Sequence, residues 1–173
     1  MTTRAGSLAA GAAAALALAC GPNPSTYVVA LDQSGLVALP GSCFATGMPP
    51  ATPPAIQAVV QHEFTVWEGA QNKHYLRIDQ VQVTFPSGGF NFAGLSEGGP
   101  KSWLFSTTAN RGNGTTETRK MEFTFTDLSA TLLGSIAVTD TFACPTPPCG
   151  FQDCSVTLGL NGRQIQTYPT GDL

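Results

Sequence analysis

The chain reads as an all-β protein, an antiparallel β-sandwich or small β-barrel of about ten short strands. Three observations predict this. Between residues 115 and 127, Met121, Phe123 and Phe125 alternate with Lys120, Glu122, Thr124 and Thr126, the period-two pattern of a strand with one buried face. Runs rich in Val, Ile, Phe, Tyr, Trp and Thr recur at short intervals, separated by Gly, Pro and Asn clusters. After residue 19 there is no capped amphipathic helical pattern.

Taken in order, Tyr27–Leu31 predicts a first strand, Asp32-Gln33-Ser34-Gly35 a turn, and Leu36–Leu39 a second strand. The proline cluster at 49–54 excludes a central strand there. Ile56–Glu68 and Lys73–Phe85 form the clearest hairpin, joined by Gly69-Ala70-Gln71-Asn72. Tight pairing around that loop sets Trp67 opposite His74 and His62 opposite Asp79. In its second strand Tyr75, Val81, Val83 and Phe85 share one parity while Leu76 and Ile78 take the other, so a bulge near Asp79-Gln80 is required.

Phe90–Leu95 and Ser102–Thr108 read as short apolar strands flanking the Gly98-Gly99-Pro100 loop. Asn113-Gly114 marks a turn before Thr115–Asp127. Along Leu132–Cys144, Ile136, Val138, Phe142 and Cys144 share a face. Cys154, Val156, Leu158 and Leu160 share another, and Asn161-Gly162 predicts a turn into a last strand, Ile165–Tyr168. No internal repeat is evident.

Charged residues make up 11% of the chain, well below the usual quarter, and Thr, Ser, Asn, Gln and Gly carry the polarity. Only Arg119-Lys120 are adjacent bases, which excludes the basic stripe of a nucleic-acid binder.

The N-terminus stands apart. Arg4 precedes a twelve-residue apolar run, Leu8–Ala19, which Cys20 ends and Gly21-Pro22-Asn23-Pro24 breaks. A spanning helix needs roughly 20 apolar residues, so this run reads as a cleaved export signal. Ala17-Leu18-Ala19 has the small-x-small form of a general signal-peptidase site. Followed by Cys20, it also resembles the lipobox of bacterial lipoproteins, although Ala17 and Leu18 stand where that pattern prefers Leu and a small residue. The resemblance covers Leu16 to Cys20.

The lipobox resemblance implies that Cys20 is acylated and becomes the new N-terminus, anchoring the protein to the membrane. Gly21, rather than Asp, follows Cys20, which implies the outer rather than the inner membrane of a bacterial envelope. The expected organisation is a signal peptide at 1–19, a lipidated cysteine and tether at 20–26, and one β domain at 27–173. Without Arg4, seven basic side chains face eleven acidic ones, a net charge of −4.

Five cysteines are odd for an exported chain. Assigning Cys20 to lipid leaves Cys43, Cys144, Cys149 and Cys154 for two disulfides. Three pairings exist, and the predicted strand faces favour Cys144 with Cys154 and Cys43 with Cys149. A zinc site on Cys144, Cys149 and Cys154 lacks the usual short spacing and a fourth local ligand, so no metal and no cofactor are expected.

Catalytic chemistry is thinly supplied. His62 and His74 are the only histidines, and His62 with Asp79 is the one His–Asp neighbour. No Gly-x-Ser-x-Gly elbow and no His-Glu-x-x-His pair is present. The leading expectation is therefore a lipid-anchored envelope protein with a non-catalytic β domain, whose partner is another envelope protein, a small molecule or a glycan. The alternative is a barrel or sandwich that binds an apolar or glycan ligand through Trp67, Tyr75 and Trp103, with Phe90 or Phe92. The third is an envelope hydrolase using His62 and Asp79. Neither motif nor composition distinguishes them.

Overall fold

The structure is a computed structural model, and it describes residues 24–44, 59–83, 90–147 and 149–167. Cys20, the apolar run before it and the proline cluster at 49–54 lie outside the described residues.

Eight antiparallel strands form one sheet: β1 (Ser25–Asp32), β2 (Val59–Glu68), β3 (His74–Val83), β4 (Phe90–Gly98), β5 (Ser102–Asn110), β6 (Thr116–Leu128), β7 (Thr131–Ala143) and β8 (Cys154–Thr167). The spatial order is β4-β3-β2-β1-β8-β7-β6-β5. Every hydrogen-bonded neighbour is thus consecutive in the chain, except that β1 pairs with β8 and so brings the two ends of the meander together. The sheet curls until its outer strands, β4 and β5, meet. There the Gly99 N–H donates to the Ser102 carbonyl at 2.9 Å, and the Ser96 hydroxyl to the Leu104 carbonyl at 2.8 Å. The result is a nearly closed up-and-down barrel, which removes most of the exposed edge that an open sheet would carry.

Period-two alternation places the core inside. Tyr27, Val29 and Leu31 of β1, Phe64 of β2, Leu76, Ile78 and Val81 of β3, and Trp103 and Phe105 of β5 are buried with Met121, Phe123 and Phe125 of β6. β2 and β6 are four strands apart in either direction around the barrel. Their rings nevertheless meet, Phe64 edge-on to Phe123 with centroids 5.5 Å apart. At that level side chains fill the barrel across its full width, as expected for eight strands. Phe105 packs edge-on against Phe123 at 5.5 Å and Trp103 tilts against Phe125 at 5.4 Å, extending the same layer.

Several expectations are corrected. The all-β expectation holds, with eight strands among the described residues where about ten were expected, and two predicted boundaries do not exist as drawn. Leu36–Leu39 is not a strand: Ser34–Ala38 forms a 3₁₀ turn that buries Leu36. Nor does Asn161-Gly162 turn the chain, since β8 runs through it and Gly162 packs against Val29. β1 begins at Ser25, inside the expected tether.

The β2–β3 register is one residue from the expected one, with Trp67 opposite Tyr75 and Glu68 opposite His74. The cause is the connection, where Gln71 and Asn72 take positive φ angles of 62° and 57°. The bulge does occur where parity demanded it: the β3–β4 register shifts between Ile78 and Val81.

The disulfides are Cys43–Cys154 and Cys144–Cys149, not Cys144–Cys154 with Cys43–Cys149. Cys154 faces inward and Asp140, not Cys144, is its ladder partner, so the assumed opposition of Cys144 and Cys154 is absent. These bonds also take up the sulfurs considered for zinc.

Candidate functional site

The described part of the β1–β2 connection, residues 33–44, packs against β8. Gly35 rests against the side chains of Val156 and Leu158, and Leu36 joins the core. Cys43, itself buried, is bonded to Cys154 at the start of β8, and the Ser42 hydroxyl is hydrogen-bonded to Gln152. One covalent and one hydrogen-bonded tie therefore hold residues 42–43 against Gln152 and the start of β8.

Next to Cys154 lies a charged cluster that the sequence reading did not single out. On β6, Glu117 and Arg119 share the inward parity of Met121 and Phe123, and on β7, Asp140 shares that of Ile136 and Val138. The ladder sets Asp140 opposite Arg119 on one side and Cys154 on the other. Arg111, from the β5–β6 turn, folds back to Glu117 with two contacts, Nε to Oε2 at 2.6 Å and an Nη2 nitrogen to Oε1 at 2.9 Å. Arg119 adds a third contact at 3.0 Å.

Glu117 is 1% exposed and Asp140 0%. The two carboxyls nevertheless have opposite electrostatics. Burial pushes Glu117 up, but hydrogen bonds from Arg111 and Arg119 outweigh it and hold that carboxyl below the ordinary range. Asp140 has no such donors, and neither of its oxygens has a hydrogen-bond partner among the described residues. Burial first, then the adjacent Glu117 charge, pushes it up to about 7. Two acceptor-only carboxylates cannot bond each other; a proton joins the pair, and the opposite shifts favour Asp140 as its holder. Paired carboxyls of this kind serve proton transfer in some active sites. Here both carboxyls are buried, and solvent approaches the cluster along Arg111 and Arg119, whose side chains are 31% and 20% exposed.

The residues considered from sequence are scattered. Trp103 is a core residue, 1% exposed, its indole N–H donating to the His74 carbonyl at 3.2 Å. Trp67 and Tyr75 are a directly opposed cross-strand pair on the other face of the sheet, half-buried and stacked with centroids 5.4 Å apart. Phe92 is buried against Phe105, and nothing is described of the Phe90 side chain.

His62 shares the parity of Phe64, stacks on it at 6.4 Å, and its Nε2 has no hydrogen-bond partner among the described residues. Asp79 is exposed, and its Oδ1 accepts from the Glu63 N–H at 3.3 Å. The structure therefore does not bring His62 and Asp79 together as an acid–base pair. Among the described residues no group of three or more His, Cys, Asp or Glu side chains converges as a metal site. No helix among them is long and apolar enough to cross a membrane.

The charged cluster was within reach of a parity argument. Continuing the alternation of Met121, Phe123 and Phe125 backwards gives Arg119 and Glu117, and the face shared by Ile136, Val138 and Phe142 contains Asp140. No known family model matches the chain, no curated protein matches its sequence, and no solved structure matches its fold.

Proposed function

We propose that this chain is an exported bacterial envelope protein, held in the membrane by lipid on Cys20, whose barrel serves a binding or structural role rather than catalysis. One observation carries the reading: the only long apolar run ends in small residues at a cysteine that the remaining four cysteines do not need. Cys43, Cys144, Cys149 and Cys154 pair among themselves, so Cys20 is left for another fate. Two disulfides also suit an oxidising compartment. Gly21 after Cys20 favours the outer membrane. Two or more acyl chains give stable attachment, each buried CH₂ contributing about 0.8 kcal/mol.

On the domain side, the interior layer spanned by Phe64 and Phe123 supports a structural core in place of a ligand chamber. The separation of His62 from Asp79 removes the support for a hydrolase. The ligand-binding reading keeps one specific observation, the stacked and half-buried Trp67–Tyr75 pair, a platform of the kind that takes a sugar face.

The test is a Cys20→Ser variant of the full chain in a bacterial host. Lost membrane attachment, with a folded barrel released in soluble form, supports the reading. Undiminished attachment overturns it.

A further inference from the structure

We infer that the free edge of β5 is a self-association surface, on which a second copy of this chain docks its own β5 antiparallel to form a two-fold dimer. The inference is independent of how the protein is anchored.

The hydrogen-bond register defines the edge. The Phe125 N–H donates to the Lys101 carbonyl at 2.8 Å and the Arg111 N–H to the Thr115 carbonyl at 2.9 Å. In the β5–β6 ladder these positions continue through Trp103↔Phe123, Phe105↔Met121, Thr107↔Arg119 and Ala109↔Glu117. Bonded and non-bonded pairs alternate in an antiparallel ladder, so odd-numbered residues of β5 bond to β6. Even-numbered ones turn their N–H and C=O groups the other way. The carbonyls of Ser102 and Leu104 confirm it, because they accept from β4 and its turn.

Beyond Leu104 the two strands have no ladder. β4 and β5 stand at opposite ends of the sheet order, and no β4–β5 ladder forms among the described residues. All of Ser106–Asn110 is exposed, including Thr107 and Ala109, whose parity is inward. Among the described residues no strand pairs with the main-chain groups of Ser106, Thr108 and Asn110, which thus present a template.

Natural edges are usually guarded by charge, proline or a bulge. This one carries none. Of the eight strands β5 alone has no charged side chain, and it has no proline. Its sequence also fits itself. A two-fold axis at Thr108 makes Thr108↔Thr108 and Ser106↔Asn110 the bonded pairs, with uncharged hydroxyl and amide side chains facing one another across the junction. The nearest like charges across the axis, Arg119 with its copy and Glu117 with its copy, are three strand spacings and two residues apart, about 16 Å along the backbone. A second copy suits this edge better than a charged peptide, since no side chain of β5 offers a counter-charge.

Two variants of the full chain, purified in detergent, test the proposal by sedimentation velocity and mild oxidation. In Thr108→Pro the lost N–H is one that points away from β6, so the barrel keeps its ladder while the edge loses a central donor. The proposal expects a dimer in the wild type, a dissociation constant raised at least about tenfold in Thr108→Pro, and an unchanged circular dichroism spectrum. Shared micelles affect both proteins equally. In Thr108→Cys the two new thiols fall on the axis, within disulfide reach at about 5.5 Å between Cα atoms. Thr107→Cys faces residue 109 of the other copy and should crosslink far less. A wild type monomeric up to about 0.1 mM overturns the proposal. So does a dimer that Thr108→Pro leaves intact, or equal crosslinking from positions 107 and 108.

Discussion

Asp140 concentrates the tension in this barrel. Its carboxyl is fully buried, lacks a hydrogen-bond donor among the described residues, and sits beside Glu117. Its folded pKa of about 7 lies above the ordinary carboxylate range, so between about pH 4 and pH 7 the native state binds more protons than the unfolded chain. Its contribution to stability is therefore present at low pH and lost as pH rises to 7. An amide at this position stays neutral and can donate to Glu117. Asp140→Asn should leave stability little changed near pH 4 and raise it by about 1–3 kcal/mol at pH 8, the usual cost of an unsatisfied buried polar group. Denaturant titrations of both proteins across that range check it; a difference independent of pH would contradict it. The two tryptophans give a second residue-scale prediction. Trp103→Ala should cost about 3–5 kcal/mol as a core truncation, whereas Trp67→Ala removes one ring of a half-buried surface pair and should cost roughly 1 kcal/mol. Equal losses in thermal or denaturant unfolding would show that the assignment of inside and outside is wrong. That distinction was not legible from composition, because both tryptophans lie in strands of similar apolarity. Parity against Phe105 and Phe64 decides it once the register is known.

At the scale of elements, β6 shows what alternation can determine. Its pattern from Lys120 to Thr126 specified a one-faced strand, and the structure has it. The parity conflict in β3 specified a bulge between Ile78 and Val81, which is also present. Leu36–Leu39 misled for a physical reason. A short apolar run looks the same whether it pairs in a sheet or buries one leucine beneath a turn, and here Leu36 is buried while Val37 is 65% exposed. The disulfides were not legible either, since Cys43 approaches Cys154 through a 3₁₀ turn that periodicity does not reveal. Their consequences differ. Cys43–Cys154 spans 111 residues and Cys144–Cys149 only 5. Loop-closure entropy assigns them about 5 and about 2 kcal/mol. Replacing Cys43 and Cys154 together by Ala should accordingly destabilise the fold far more than replacing Cys144 and Cys149, and should free the Gly41–Phe44 turn from β8. Thermal unfolding with hydrogen exchange at Asp140 and Cys154 reads both effects. Equal destabilisation by the two pairs would argue that the long connection is not a structural tie.

The molecule as a whole is a meander whose first and last strands pair, filled from wall to wall by aromatic rings. The β class followed from alternation and turn spacing. The choice of barrel over sandwich did not, because it rests on the β1–β8 pairing and the approach of β4 to β5, neither of which leaves a local mark on the sequence. Function is bounded by what surrounds the barrel. Its described cysteines are all engaged, its candidate histidine and aspartate are apart, and the proposed address is written at Cys20. The most direct measurement is intact-mass and peptide mass spectrometry of the protein isolated from membranes of a bacterial host. The account predicts a chain that begins at Cys20, carries acyl mass on that residue, and has its other four cysteines oxidised. A product that retains Leu8–Ala19, or begins at Cys20 with a free thiol and no lipid, would contradict it.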